Sequence, residues 1–401
     1  MPDFSVAIYQ ISYVKSLILK SQPENHHNNT YTMSKIPSDT TSHSPLNEQL
    51  LLFIGTCCWD IIMDVPVLPM EDTEVRATAM RACKGGNASN SATVAARYAA
   101  AMGLGVQAAW VGVLGSAEHC THTQAVLREF AAAGVQVCGQ HTSGQCPTSV
   151  IQSVAARGTR TITHFRGIPE LDAPGFAGIA AQYNFAGRAA ACHAEARAAP
   201  ATTQWLTTVR AWGIPVTVEL EKIRGSSTPG AANPEAPAAE HTEWHVAALA
   251  DGIFTSSEFF HGLGIHEFHA EHLRVLLDGI VQARAEVAAD AALASLLPPH
   301  VHVCVSLGAQ GALSATLAMA DQAITHVVMH APPEFKPGEA VVDTVGAGDT
   351  LIGVAAMHFS TARSITPSRH HTARWESAIA AGVAAASAKV ARVGLYTFDF
   401  T

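Results

Sequence analysis

The chain has 401 residues, of which 48% are hydrophobic and 14% charged, with a net charge of −9. That length holds one large domain or two ordinary ones, and an acidic balance without a basic run argues against a nucleic-acid footprint. No apolar run reaches the ~18 residues that a membrane-spanning helix needs. Eight scattered cysteines without a C-x-x-C pair suit a reducing, cytoplasmic compartment rather than a disulfide framework.

Residues 1–48 hold a short apolar piece, Phe4 to Leu19, and then a polar run, and read as a disordered N-terminal extension. A domain spanning 49–397 follows. Leu50 to Gly55 reads as a buried strand, and Val65 to Ala79, broken by Pro66 and Pro69, as edge strands. Gly85-Gly86-Asn87-Ala88-Ser89-Asn90 opens a helix that runs through Ala101 and stops at Gly103, before a strand at Val106 to Val113. A helix over Cys120 to Ala133 leads through Gly134 to another strand. Thr148 to Val154 and Thr159 to His164 form a hairpin-like pair. A helix over Thr202–Trp212 precedes a strand over Pro215–Glu219. The segment 224–243, rich in Pro, Gly, Ser and Ala, is expected to be a mobile insertion. Then come a strand at Ile253–Thr255, a helix from His266 to Ala288, strands at Val301 to Ser306 and Ala312 to Thr316, and helices from Thr350 and from Arg374 to Val390. Strands alternating with helices imply an α/β fold with a doubly wound, mostly parallel sheet flanked by helices.

One stretch carries chemistry: Val342-Asp343-Thr344-Val345-Gly346-Ala347-Gly348-Asp349-Thr350. It puts a Gly-Ala-Gly turn at a helix start, where unpaired N–H groups and the helix dipole attract phosphate and glycines allow close approach. A site that only binds an anion gains nothing from a second anion, Asp349. A site that takes a proton from a hydroxyl while stabilising a phosphoryl group needs both. Gly-x-Gly-Asp alone is common as a plain helix start; the nine residues together are far more specific. Other motifs fail on context. Gly103-x-Gly105-x-x-Ala108 has its helix before it and its strand after it, the reverse of a dinucleotide fingerprint, and no Walker-type loop exists. His266, His269 and His272 drift around a helix surface, and His241 and His245 lie beside the insertion and lack the second-position Glu of H-E-x-x-H, so no zinc site is assigned. Asn87 and Asn90, three apart, share a face of their helix start and suit sugar hydroxyls, although either alone could be a cap. Asp60 follows the first strand, where a doubly wound sheet places ligands; it too could be a cap.

Together the Gly-Gly-Asn-Ala-Ser-Asn run and the Asp-Thr-Val-Gly-Ala-Gly-Asp-Thr run resemble the two signatures of the ribokinase family, the PfkB-type carbohydrate kinases. The nearest branch is the ketohexokinase (fructokinase) one. Glu71-Asp72-Thr73-Glu74-Val75-Arg76, Arg160-Thr161-Ile162 and Val218-Glu219-Leu220-Glu221-Lys222 add to the likeness, which extends over about Leu50 to Leu395. The resemblance implies a small β-sheet lid, from about 65–82 and 146–164, over the sugar. It implies ATP as donor with Mg²⁺, a ketohexose such as fructose as acceptor, and a homodimer through the lid. By position, Asp60, Gly86, Asn87 and Asn90 would hold the sugar, and Asp349 would be the general base. Gly346, Ala347 and Gly348 would form the anion hole, and Arg160 would reach over the phosphates. Leu307, Gly308, Ala309, Gln310 and Gly311 would lie by the nucleotide. The wider family's Asn-x-x-Glu is Ser256-Ser257-Glu258-Phe259 here, so the magnesium contacts stay unassigned. Rival readings are a ribose, adenosine or other sugar kinase of the same family, and a non-catalytic sugar- or protein-binding relative; the intact Asp349 and glycine turn count against the last.

Overall fold

The computed structural model describes residues 49–154, 159–197, 199–221, 243–335, 339–361 and 370–395. The expected N-terminal extension lies outside the described residues. So does the expected insertion, except for Glu243, which opens a short helix.

A nine-stranded sheet runs in the order β13-β12-β11-β10-β9-β8-β1-β4-β5. Its strands are β1 (Gln49–Ile54), β4 (Val106–Leu114), β5 (Gln136–His141), β8 (Ala189–Glu195), β9 (Val216–Leu220), β10 (Gly252–Ser256), β11 (His300–Ser306), β12 (Ala312–Ala318) and β13 (Ala323–His330). All neighbouring pairs are parallel except those made by β12 and β13, which close one edge antiparallel. Strand β1 shows why the centre must be covered on both faces. Leu50, Leu52 and Ile54 enter one core, Leu51 and Phe53 the other, and all five are at most 1% exposed. An unbroken apolar run with period-two side chains buries both ways only between two helical layers.

The chain leaves β1 toward β4 and β5 on one side, then crosses to β8 and onward on the other. The reversal between β1 and β8 opens a crevice at the strands' carboxyl ends. Two helices frame it: α1 (Asn87–Ala101) and α10 (Ala347–Thr361), which pack against each other. The contact is close because Gly353 is small. A Cβ there would lie 2.6 Å from the Ser91 carbonyl oxygen and 2.9 Å from Val94 Cβ.

A separate four-stranded sheet has the order β3-β2-β6-β7, from β2 (Cys58–Asp64), β3 (Ala79–Gly85), β6 (Thr148–Val154) and β7 (Thr159–Phe165). The β6–β7 pair is antiparallel, as the hairpin pattern implies. The other half differs from the sequence expectation. Val65 to Thr78 carries no strand, and the sheet begins at Cys58, seven residues before the expected lid segment. The two prolines keep 65–78 out of a ladder that needs every N–H on its paired side.

Candidate functional site

A cleft of about 920 Å³ opens at the carboxyl ends of β1, β8, β9, β10 and β11 and is covered by β2, β6 and β7. Asp349 lines it from the first turn of α10. The turn before it is held by Asp343, whose Oδ1 accepts from Val345 N–H at 2.9 Å. Its Oδ2 accepts from Gly394 N–H at 2.8 Å and lies 3.3 Å from Arg81 of β3. Lys389, fully buried, donates from Nζ to the Asp343 backbone oxygen at 2.7 Å and lies 3.4 Å from Oδ2.

Burial pushes the Asp343 carboxyl up, but those N–H groups, Lys389 and Arg81 outweigh it and hold it below the ordinary carboxylate value. A depressed folded value stabilises the protein above the unfolded value of about 3.9 and is lost as pH falls through the folded one. Lys389→Met should therefore cost roughly 3 kcal/mol in urea denaturation at pH 7, the low end for breaking a buried pair, because Asp343 keeps its other partners. A loss under about 0.5 kcal/mol, the size of an ordinary surface change, would show that the ammonium does not support the turn.

The glycines of the turn are not equivalent. Gly346 has φ 81°, and a Cβ there would meet Leu395 Cδ1 at 2.7 Å. Gly348 is helical, and a Cβ there would meet nothing within 4 Å. Positive φ is thus needed at Gly346, while Gly348 keeps space open. Both line the cleft. Ala347 does not share that position: its N–H is engaged by the Thr344 carbonyl at 3.2 Å.

Facing Asp349 is the start of α1. Its N-cap residue is Gly86, at φ 97°, where a Cβ would lie 2.4 Å from the Thr56 carbonyl oxygen. Neither asparagine caps the helix. Asn90 donates from Nδ2 to Asp349 Oδ2 at 2.8 Å, and its Oδ1 accepts from Lys84 Nζ at 3.1 Å. Asn87 donates from Nδ2 to Glu219 Oε1 at 3.1 Å. Ser91 donates to the Asp349 carbonyl at 3.2 Å.

Asp60 lies within β2 of the small sheet, not in the loop after β1, and lines the cleft beside Cys58, whose thiol lies 3.2 Å from its Oδ1. Arg160 lines the cleft from exposed β7. The turn Leu307–Gly311 connects β11 to β12, and its neighbour Ser306, rather than the turn itself, reaches the cleft wall. Gly311, at φ 93°, is set by its approach to β13, where a Cβ would lie 2.1 Å from the His330 carbonyl oxygen.

The structure adds a group that the sequence pattern does not flag. Glu195 ends β8, is 5% exposed, and accepts on Oε1 from the N–H of Ala88 at 2.6 Å and Thr56 at 3.2 Å. Arg197 joins it to Glu221, at 2.8 Å and 3.3 Å. Glu219 Oε2 is buried with no protein partner. Burial, then the carboxylates of Glu195, Asp349 and Glu221, push the Glu219 carboxyl well up. Burial likewise raises Asp349 to about 7; the Asn90 bond and Lys84 oppose this, and Glu195 and Glu221 add to it. Such a carboxyl is poised to exchange a proton near neutral pH.

The family model described as pfkB family carbohydrate kinase matches residues 48–186 and 277–399. The chain belongs to this family. Within the pfkB family, mouse (Mus musculus) ketohexokinase is 32% identical over 132 residues, 33% of this chain and 42% of that protein. The matched stretch thus spans less than half of the relative. Among solved structures, ribokinase from Giardia lamblia superposes with a TM-score of 0.64 at 15% identity, covering 87% of this chain and 95% of that one. Arabidopsis thaliana ribokinase, solved with ribose and ATP, gives 0.57 at 20% identity over 87% and 94%. Escherichia coli phosphofructokinase-2, solved with fructose-6-phosphate, gives 0.56 at 18% identity over 86% and 94%. These likenesses establish a ribokinase-like fold: a large, mostly parallel α/β sheet flanked by helices, with a small separate sheet.

Proposed function

We propose that this pfkB-family chain transfers the γ-phosphoryl group of ATP to a sugar hydroxyl, with a ketohexose such as fructose, phosphorylated at its 1-position, as acceptor. The observation that carries the reading is the Asn90–Asp349 pair at the start of α10, a raised carboxyl beside helix-start N–H groups. Asp349 accepts the proton of the attacking hydroxyl. Asn90 orients the carboxylate. The Gly346–Gly348 turn faces the transferred phosphoryl group, whose charge is spread over three oxygens in flight. Asp60, Gly86 and Asn87 hold the sugar, Arg160 covers the phosphates from the small sheet, and the Leu307–Gly311 turn lies toward the nucleotide. The match to ketohexokinase supports a ketohexose.

Among the described residues, no group of three or more His, Cys, Asp or Glu side chains could hold a metal ion. The donor set does fit a hydrated cation carried in on phosphates, since Glu219 Oε2 has no protein partner and Glu221 stands beside it in the cleft wall. Glu219 and Glu221 would face the water shell of Mg²⁺, which characteristically keeps several waters and binds substrate phosphates. Bound there, it would neutralise charge on the phosphates.

A homodimer through the small sheet belongs to the same reading. Exposed Met80, Ile162 and Phe165 on β3 and β7 support it, and sedimentation equilibrium tests it. The test of the activity is ATP consumption across fructose, ribose, adenosine and a wider sugar panel. Preference for ribose or adenosine would move the chain to another branch of the family. No consumption with any acceptor would leave a binding protein.

A further inference from the structure

Lys84, the next-to-last residue of β3, lies directly behind the Asn90–Asp349 pair and is 1% exposed. Its Nζ donates to Ser89 Oγ and Asn90 Oδ1, each at 3.1 Å, and stands 5.0 Å from the centroid of the Phe130 ring. Ser89 in turn donates its hydroxyl hydrogen bond to the Gly85 carbonyl at 2.6 Å. An ammonium group has donors and no acceptor, so the Asn90 amide must turn its oxygen to Lys84 and its N–H to Asp349. With the amide reversed, an acceptor would face the carboxyl, and that arrangement suits only the protonated acid.

We propose that Lys84 is a positioning residue for the base: it acts on Asp349 through Asn90, fixing the amide so that the carboxylate form is the one that is bonded. The inference rests on the reading of Asp349 as the base. Lys84 also places a cation behind a site crowded with acids. Glu195 and Glu221 bear on Asp349 from β8 and from the chain beyond β9. Glu219 and Lys389 sense Asp349 in turn. Burial lowers the Lys84 ammonium from its ordinary value, and Cys57, Glu129, Asp349 and Cys58 oppose that lowering. Of these groups only Lys84 and Lys389 are cations, and only Lys84 bonds a side chain that bonds Asp349.

The test compares Lys84→Met, Lys84→Gln and Lys84→Arg with wild type in two readouts. One is the pH profile of kcat with the sugar that wild type turns over. The other is the carboxyl titration of Asp349 by ¹³C NMR of aspartate-labelled protein, with its signal assigned by its loss in Asp349→Asn. Lys84→Met should move both the acid limb and the carboxyl titration to higher pH by about half a unit or more. It should lower the plateau about tenfold with KM for ATP nearly unchanged, the mark of an interaction made in the transition state. Lys84→Gln, whose amide can still donate to Asn90 Oδ1, should shift the limb and keep most of the plateau; it carries the test where the Met variant does not fold. Lys84→Arg should restore the limb. Folded Met or Gln variants with wild-type limbs and an unmoved Asp349 titration overturn the proposal. If wild type phosphorylates no sugar, the functional reading fails, and the carboxyl titration alone still decides whether Lys84 sets the state of Asp349.

Discussion

Asp349→Asn is expected to lower turnover by about a hundred- to ten-thousandfold, the usual range for a lost general base, while nucleotide affinity stays near wild type. The replacement is nearly isosteric, and its amide oxygen can still accept from Asn90 Nδ2, so the start of α10 keeps its geometry. What it loses is the capacity to take a proton. On the proposed function the same carboxyl should set the acid side of the wild-type pH profile. With Asp349 raised to about 7, kcat should fall as pH drops through that value. The stability effect has the opposite sense to that of Asp343. A folded value above the unfolded one means that the folded state binds the proton more tightly, so stability declines as pH rises between the two. Asp349→Asn should therefore be no less stable than wild type at pH 8. Retention of more than about a tenth of wild-type turnover, a barrier change of only ~1.4 kcal/mol, would remove Asp349 from the role.

The second large effect is expected at Asn90. Its amide bridges Lys84 to Asp349. Asn90→Ala leaves the ammonium without one of its acceptors and the base without its orienting donor, and a buried polar group left unpaired costs ~1–3 kcal/mol. Efficiency with the sugar should fall roughly ten- to a hundredfold, at ~1.4 kcal/mol per tenfold, and the affinity for ATP should change little. Measured kcat/KM for the sugar against KM for ATP separates the cases. Equal losses for both would mean that Asn90 only stabilises the helix start.

The sequence carried the two helix starts because their chemistry is local. A Gly-Ala-Gly-Asp run and two asparagines three apart place their side chains within one helical turn, whatever packs around them. The Asn-to-Asp pairing follows once α1 and α10 are neighbours. Strand β8 was not legible. Ala189-Ala190-Ala191-Cys192-His193-Ala194-Glu195 has low β propensity and no alternation, since a central strand covered on both faces needs only small side chains. With β8 unseen, Glu195 and Arg197 had no strand end to mark them. Glu219 and Glu221 did have a signal: charged residues at the carboxyl end of a buried strand are where a doubly wound sheet puts its ligands. Lys84 was hidden because lysines seldom lie fully buried, and only the packed structure shows one beneath Asn90. Asp60 was misplaced because β2 starts three residues after Gly55, too soon for the sequence to separate one sheet from the next. Nor does the sequence tell which glycine of the turn holds the left-handed backbone; Gly346 does and Gly348 does not.

The close seating of Gly353 on Ser91 has a consequence for how the protein meets its ligands. Ser91 is the residue after Asn90, and Gly353 is one helical turn beyond Asp349, so the crossing point holds Asp349 against its amide partner. That crossing is the anvil of the site. The jaw is the small sheet, pinned near one end where Arg81 meets Asp343 and wholly exposed along β7 at the other. On the proposed function, a base held this way is as ready for water as for sugar, which would leave the guard against idle ATP hydrolysis to the exposed end that carries Arg160. Amide exchange that slows along β7 on sugar binding, with α1 and α10 unchanged, is the signature of that division of labour; slowing spread evenly over both helices would show that the anvil is forged only when the sugar arrives.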